Sequence, residues 1–265
     1  MAGEKGDPTV NYRLTVIANN IRSKTGKTEL LSLQGMAAGV NEVYEKGIEQ
    51  GKQAENEAFW NVITDNRKRT DYPYAFSRWG VEYVRPPFKI APTGNANHMF
   101  RACGSLKVIE KQFLDLSQST GGVAAFSNGC ANLEIIEDIN FRGTGNDYYY
   151  QSFSYCSKLH TIERLPIEET VKPTQTFLRC YLLQNITIDG VIGRSIDFSY
   201  SPLTLESMLS VITHLKDYSG TENAGTYTLT LKDTCKTTMA EQGAIAELDG
   251  KTYDAYITDI GWNLA

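Results

Sequence analysis

The sequence predicts an α+β chain: a short solenoid with a parallel β ladder, a helical N-terminal segment before it and a helix-strand cap after it. Three observations carry this. One phrase is spoken four times between Phe100 and Ile188: Phe100, Cys103, Leu106, Ile109; Phe126, Cys130, Leu133, Ile136; Phe153, Cys156, Leu159, Ile162; Phe177, Cys180, Leu183, Ile186. The cysteines are 27, 26 and 24 residues apart, whereas the steps from Cys to Leu to Ile are three and three in every copy. A period of that length with a fixed apolar core and elastic joints marks stacked supersecondary units. Beyond residue 203 the phrase stops and helical periodicity takes over.

The elements follow in chain order. Residues 1–10 hold two collagen-like triplets, Gly3 to Pro8. A triple helix needs Gly at every third position of a long run, so a flexible, solvated tail is expected. From Asn11 to Lys24, Leu14, Ile17 and Ile21 recur at helical spacing, with Gly26 as a stop. Ser32 is placed to cap a second helix bearing Met36, Val40, Val43, Tyr44 and Ile48, and the apolar stripe resumes at Phe59, Trp60, Val62 and Ile63. Gly35, Gly39, Gly47 and Gly51 sit on this stretch at multiples of four residues. Each costs about 1 kcal/mol relative to Ala, so the helix is marginal alone, but glycines let neighbouring helices approach. Residues 11–64 are therefore expected to form a helical attachment or oligomerisation segment. The TGKT at Thr25–Thr28 is not a phosphate-binding loop, because the required glycine five residues before Gly26 is Ile21.

Residues 65–98 crowd Tyr72, Tyr74, Phe76, Trp79, Tyr83 and Phe88 among Pro73, Pro86, Pro87 and Pro92. Phe76 lies one period before Phe100, so this stretch is expected to be a degenerate coil that covers the first rung. Trp79 and Tyr83 are candidate ligand- or receptor-binding residues within that cap.

Residues 99–203 form the repeat region. One repeat cannot bury its own apolar face, so each must stack on the next, Phe on Phe and Leu on Leu. The runs Leu106–Ile109 and Leu183–Ile188 are aliphatic and β-branched, which suits strands buried in a parallel ladder. Burial of each Phe, Leu or Ile contributes about 1.5–3 kcal/mol, and removing Phe153 is expected to cost about 3–5 kcal/mol. The four repeat cysteines share one register, within conceivable disulfide or metal reach. With no CxxC, no Cys/His zinc spacing and an odd fifth residue, Cys235, reduced core thiols are expected instead. In the joint Arg142–Gln151, Tyr148, Tyr149 and Tyr150 stand beside two glycines. At least one ring must point inward, and an exposed pair binding a glycan or protein receptor is the candidate surface. A partial phrase from Phe198 to Leu205 replaces Cys with Ser201.

In residues 204–265, Thr204 is placed to cap a helix whose apolar face is Leu205, Met208, Leu209, Ile212 and Leu215. Tyr227–Leu231 alternates as a strand. A helix over about 238–248, a turn at Asp249-Gly250, a helix over 253–259 and a strand over 262–264 complete two final rungs.

The repeated phrase resembles the BspA-like leucine-rich repeats, with the pattern Phe-x-x-Cys-x-x-Leu-x-x-Ile and a proline-containing turn. It departs from that pattern at Phe126, four residues before its Cys, and only the third copy keeps a proline, Pro166. The resemblance implies a non-enzymatic binding or adhesion module of the kind found in bacteriophage and prophage structural proteins and on bacterial surfaces. The stretch from Ile17 to Val40 and the terminal Gly-Trp-x-Leu-Ala are similar to segments of phage tail and fibre proteins. The expectation is a tail- or fibre-associated virion protein that binds other virion proteins through residues 1–64 and a host-surface glycan or protein through its repeats. Fibre symmetry suggests a homotrimer. A bacterial surface adhesin of the same family and a carbohydrate-active enzyme are the alternatives.

Composition bears on the address. A net charge of -5 offers no footprint for nucleic acid or an anionic membrane. No run of 18 apolar residues exists for membrane insertion, and the first thirty residues lack a signal-peptide core. A virion assembled in the host cytoplasm is expected on that ground, ahead of the bacterial cell surface.

No catalytic, cofactor-binding or metal residues are expected. His98, His160 and His214 are scattered without ligand spacing. Asp138 and Asn140 begin like a calcium loop, but Arg142 and Tyr149 occupy ligand positions. Glu110, Glu137 and Glu163 recur after the phrase, with Thr187 as the fourth. Such a row is the only footing for a glycosidase pair, and its spacing reflects the repeat.

Overall fold

The computed structural model describes residues 71–265 apart from 87, 88 and 146. The expected tail at 1–10, the helical segment at 11–64, the TGKT stretch and Phe88 lie outside the described residues. The described chain is mixed α/β, with two parallel sheets and three helices.

The first sheet runs in sequence order: β1 (Val108–Ile109), β2 (Ile135–Ile136), β3 (Thr161–Ile167) and β4 (Asn185–Gly190), each parallel to the next. Ile109, Ile136, Ile162 and Ile186 are successive Cα partners. The stride of the repeat is therefore the register of the ladder. Leu106, Leu133, Leu159 and Leu183 sit beneath it, all buried.

Aromatic stacking follows the phrase with one exception. Phe76, Phe100, Phe126, Phe141, Phe153, Phe177 and Phe198 form a continuous line with centroid separations of 5.3, 5.2, 5.7, 5.8, 5.9 and 4.6 Å. Phe141, which belongs to no phrase, stands between Phe126 and Phe153. The irregular copy explains it: Ser127 occupies the place three before Cys130, Phe126 is displaced by one residue, and Phe141 fills the gap.

Each rung also turns through two left-handed residues four apart: Tyr74 and Arg78, His98 and Ala102, Ala125 and Gly129, Gln151 and Tyr155, Gln175 and Arg179. Only one is glycine, so propensity does not disclose them. A left-handed non-glycine residue costs about 1–2 kcal/mol. In return its amide faces the next rung: His98 N donates to Ala124 O at 2.9 Å, Ala125 N to Tyr150 O at 2.7 Å and Tyr155 N to Leu178 O at 2.8 Å.

Past β4 and one more short strand, Ile196–Phe198, the chain enters α1 (Leu205–Thr213). Thr204 caps it, its hydroxyl accepting Ser207 N at 3.3 Å. Met208, Val211 and Ile212 are buried. The helix satisfies the open edge of β4, because the hydroxyls of Ser207 and Ser210 accept the amides of Ile186 and Ile188, both at 2.9 Å. Ser207→Ala strands a buried strand amide and is expected to cost about 1–3 kcal/mol. Urea melts should place it well below wild type; a change under a few tenths of a kcal/mol would remove the edge-capping role.

The second sheet contains β5 (Ile196–Phe198), β6 (Thr228–Leu231) and β7 (Asn263–Leu264), again parallel, with Phe198 opposite Leu231 and Leu229 opposite Leu264. Between β6 and β7 lie α2 (Asp233–Gln242), a single 3₁₀ turn at Ala246–Leu248, and α3 (Tyr253–Asp259). The helix expected over about 238–248 thus starts earlier and ends sooner. Its apolar face is only Cys235 and Met239, too sparse to mark its start, and Gly243, at φ 66°, stops it. The Gly-Trp-x-Leu ending closes the chain: Trp262 Nε1 donates to Lys216 O at 2.7 Å and its ring packs with Tyr218 and Tyr227.

Candidate functional site

The chemically capable groups inside the ladder are spent on holding it together. All five cysteines are free and buried. The thiols of Cys103, Cys130, Cys156 and Cys180 donate to Phe76 O, Phe100 O, Ser127 O and Phe153 O at 2.8, 2.9, 3.0 and 3.1 Å, in each case a carbonyl of the preceding rung. Burial pushes the Cys180 thiol well above its ordinary range, which keeps the proton that makes its bond. In the partial phrase, Ser201 Oγ donates to Cys180 O at 3.3 Å in the same way.

The carboxylate row is structural by the same logic. Glu137 Oε2 accepts the amide of Lys111 at 2.9 Å, and Glu163 Oε2 accepts that of Asp138 at 3.0 Å, so each glutamate anchors the residue just after its predecessor. Glu110 is held by Arg85 at 2.7 and 3.1 Å. Asp138 and Asn140, the start of the calcium-like loop, both point their oxygens at Arg164, at 2.9 and 3.2 Å, and the same guanidinium reaches Asp189 at 2.7 Å. A protein cation occupies the position that the loop pattern suggests for a metal. Among the described residues no cluster of His, Cys, Asp and Glu has metal-site geometry.

Burial raises the Asp138 carboxyl, but Arg164 and the Asn140 amide outweigh it and hold the group below its ordinary value. A depressed carboxylate contributes stability above its unfolded pKa and loses it as pH falls through the folded one. Asp138→Asn should therefore cost stability at neutral pH and show a flatter stability profile below about pH 4. Thermal melts between pH 7 and 2 check this; parallel profiles for variant and wild type would refute it.

The predicted aromatic candidates fare unevenly. Tyr148 and Tyr149 are core residues, 3% and 0% exposed, which removes the expected exposed pair. Tyr149 Oη donates to Pro166 O at 2.8 Å, and Tyr148 Oη accepts Arg142 N at 3.0 Å. Burial pushes the Tyr148 phenol up to about 12. Tyr149 packs edge-on against Phe141 at 5.6 Å, and Tyr148 packs in turn edge-on against Tyr149 at 4.8 Å. Tyr150 alone is exposed, at 40%. Trp79 packs against the core edge-on to Phe76 and occupies the register that cysteine holds in later rungs. Tyr83 is half-buried beneath the Arg85 guanidinium, 4.2 Å from its centroid. Both keep part of their surface exposed.

Exposed rings also lie elsewhere: Tyr74, 53% exposed, stacks on His98 in the first rung, and a group lies on the turn side of the third and fourth phrases. Tyr155 and Tyr181, 42% and 46% exposed, stand one residue before Cys156 and one after Cys180. Arg179 lies over the Tyr155 ring at 5.1 Å, Tyr200 meets Tyr181 edge-on at 5.6 Å, and Leu182 is 49% exposed beside them. No family model, curated protein or solved structure matches the chain. The sequence does hold a signal for the residues of this surface: they flank the cysteines, where the left-handed turn points side chains outward.

A groove of about 210 Å³ lies between β3, β4 and α1, lined by Ile162 and Ile186 together with polar side chains that include Glu163, Thr187, Glu206 and Ser210. Glu163 there is already engaged with the Asp138 amide and, at 3.7 Å, with Lys111.

Proposed function

We propose that this chain is a non-enzymatic bacteriophage or prophage structural protein, tail- or fibre-associated, whose residues 99–203 wind as a short leucine-rich-repeat solenoid of the BspA-like kind. The solenoid presents its turn side to a host surface or to another protein. The observation that supports this best is the identity between repeat stride and ladder register, Ile109 to Ile136 to Ile162 to Ile186. Such a stack aligns outward side chains of successive rungs into columns, the architecture of a recognition surface. Residues 1–64 attach the module to other virion proteins, and fibre symmetry argues for a homotrimer assembled in the host cytoplasm.

Immunogold labelling of intact particles with antibody against the chain tests the placement. Gold on tails or fibres is expected; gold confined to the bacterial envelope would overturn it in favour of a surface adhesin. Light scattering of the full chain tests the trimer, and a strict monomer would remove it.

A further inference from the structure

We infer that the exposed tyrosine and guanidinium surface of the last rungs binds a carboxylated polysaccharide, a chain of uronic acid type; the inference deepens the recognition role proposed above and rests on it. The first argument is charge. The protein carries a net charge of -5, yet residues 148–162, 170–188 and 198–205 contain no Asp or Glu, while they hold Lys158, Lys172 and Arg179. Among the described residues neither Arg179 nor Lys158 has a carboxylate within ion-pair distance. Asp233, just beyond the partner register of Phe198 on the next strand, is paired with Lys236 at 2.8 Å. The exposed rings of Tyr155 and Tyr181 thus lie on segments that carry cations and no acid.

The second argument is shape. Tyr155 and Arg179 hold the same place before their cysteines on consecutive rungs, whose separation of about 4.8 Å is comparable to the length of one sugar ring, and Tyr181 follows Arg179 by two residues. Tyrosine faces receive the C–H faces of sugars, and a guanidinium takes a carboxylate through two parallel bonds. An acidic peptide fits less well. Peptides commonly bind by adding a strand to an open sheet edge, and the amides of Ile186 and Ile188 on β4 are already taken by Ser207 and Ser210. Tyr155 and Arg179 project instead from left-handed positions in the turns, at φ 64° and 62°.

Calorimetric titration of the full chain with polygalacturonate, its fully methyl-esterified form and polyglutamate tests the inference. Binding of the charged sugar, with at least about tenfold weaker binding of the ester, is expected. Tyr155→Ala and Arg179→Ala should each weaken binding by about tenfold, whereas Arg142→Ala, an exposed cation elsewhere, should leave it unchanged. Thermal melts of each variant separate loss of the surface from loss of the fold, and Arg179→Glu, which preserves an exposed polar side chain, should abolish binding without lowering the melting temperature. Equal binding of the ester, equal binding of polyglutamate, or no binding of polygalacturonate would each overturn the inference. Labelled virions with no sugar binding would sink this inference alone. Sugar binding by a chain that labels only the bacterial envelope would sink the virion placement and leave this surface standing.

Discussion

Phe141→Ala is expected to lose about 3–5 kcal/mol of stability, as much as Phe153→Ala, although only Phe153 belongs to the repeated phrase. Phe141 touches Phe126, Tyr149 and Phe153 at centroid separations of 5.7, 5.6 and 5.8 Å. Truncation opens a cavity at the join between two rungs, where both neighbouring backbones are tied by inter-rung hydrogen bonds and cannot collapse into it. Phe141→Leu restores most of the volume and should recover more than half of the loss. Urea denaturation of the three variants gives the comparison. A Phe141→Ala penalty below about 1 kcal/mol would mean that Phe126 and Phe153 close on each other directly, and the inserted ring would lose its structural meaning.

Gly143→Ala is the second large effect, with an expected cost of about 2–5 kcal/mol. Two independent penalties combine there. Gly143 has φ +69°, a left-handed conformation in which an L side chain is strained. An added Cβ would also meet the Pro166 carbonyl oxygen at 2.2 Å and its carbon at 2.6 Å, both backbone atoms that cannot swing aside. Glu168 N donates to Gly143 O at 3.0 Å, so displacing the loop costs that bond as well. Gly145, two residues on, is an internal control: it has φ +97° but open space around its Cβ position. Its alanine variant pays the strain and not the clash. Thermal melts that rank the two variants equally would show that the close approach to Pro166 is not what demands glycine.

These two positions mark how far local pattern reaches. The strand of every phrase, its stride and its inward Leu and Ile were legible, since parallel partners in a repeating chain must sit one period apart. The thiol state was legible too, from the missing ligand spacing. The joints were not. Tyr148 and Tyr149 look like surface residues beside glycines, and only the inserted Phe141, against which Tyr149 packs, shows that they belong to the core. The place of Tyr155, Arg179 and Tyr181 beside cysteines was visible, but the left-handed φ of 64° and 62° at Tyr155 and Arg179 was not, because no propensity reveals it at ordinary residues. The onset of α2 was missed because two buried side chains, Cys235 and Met239, anchor it.

By itself, then, the order of residues settled which side chains recur and at what interval, hence the ladder and the stack of apolar layers within it. Tertiary structure decided which face of each joint meets water. A repeat constrains only the positions that must touch their own copies, whereas the elastic stretches between take their orientation from whatever space the neighbouring rungs leave.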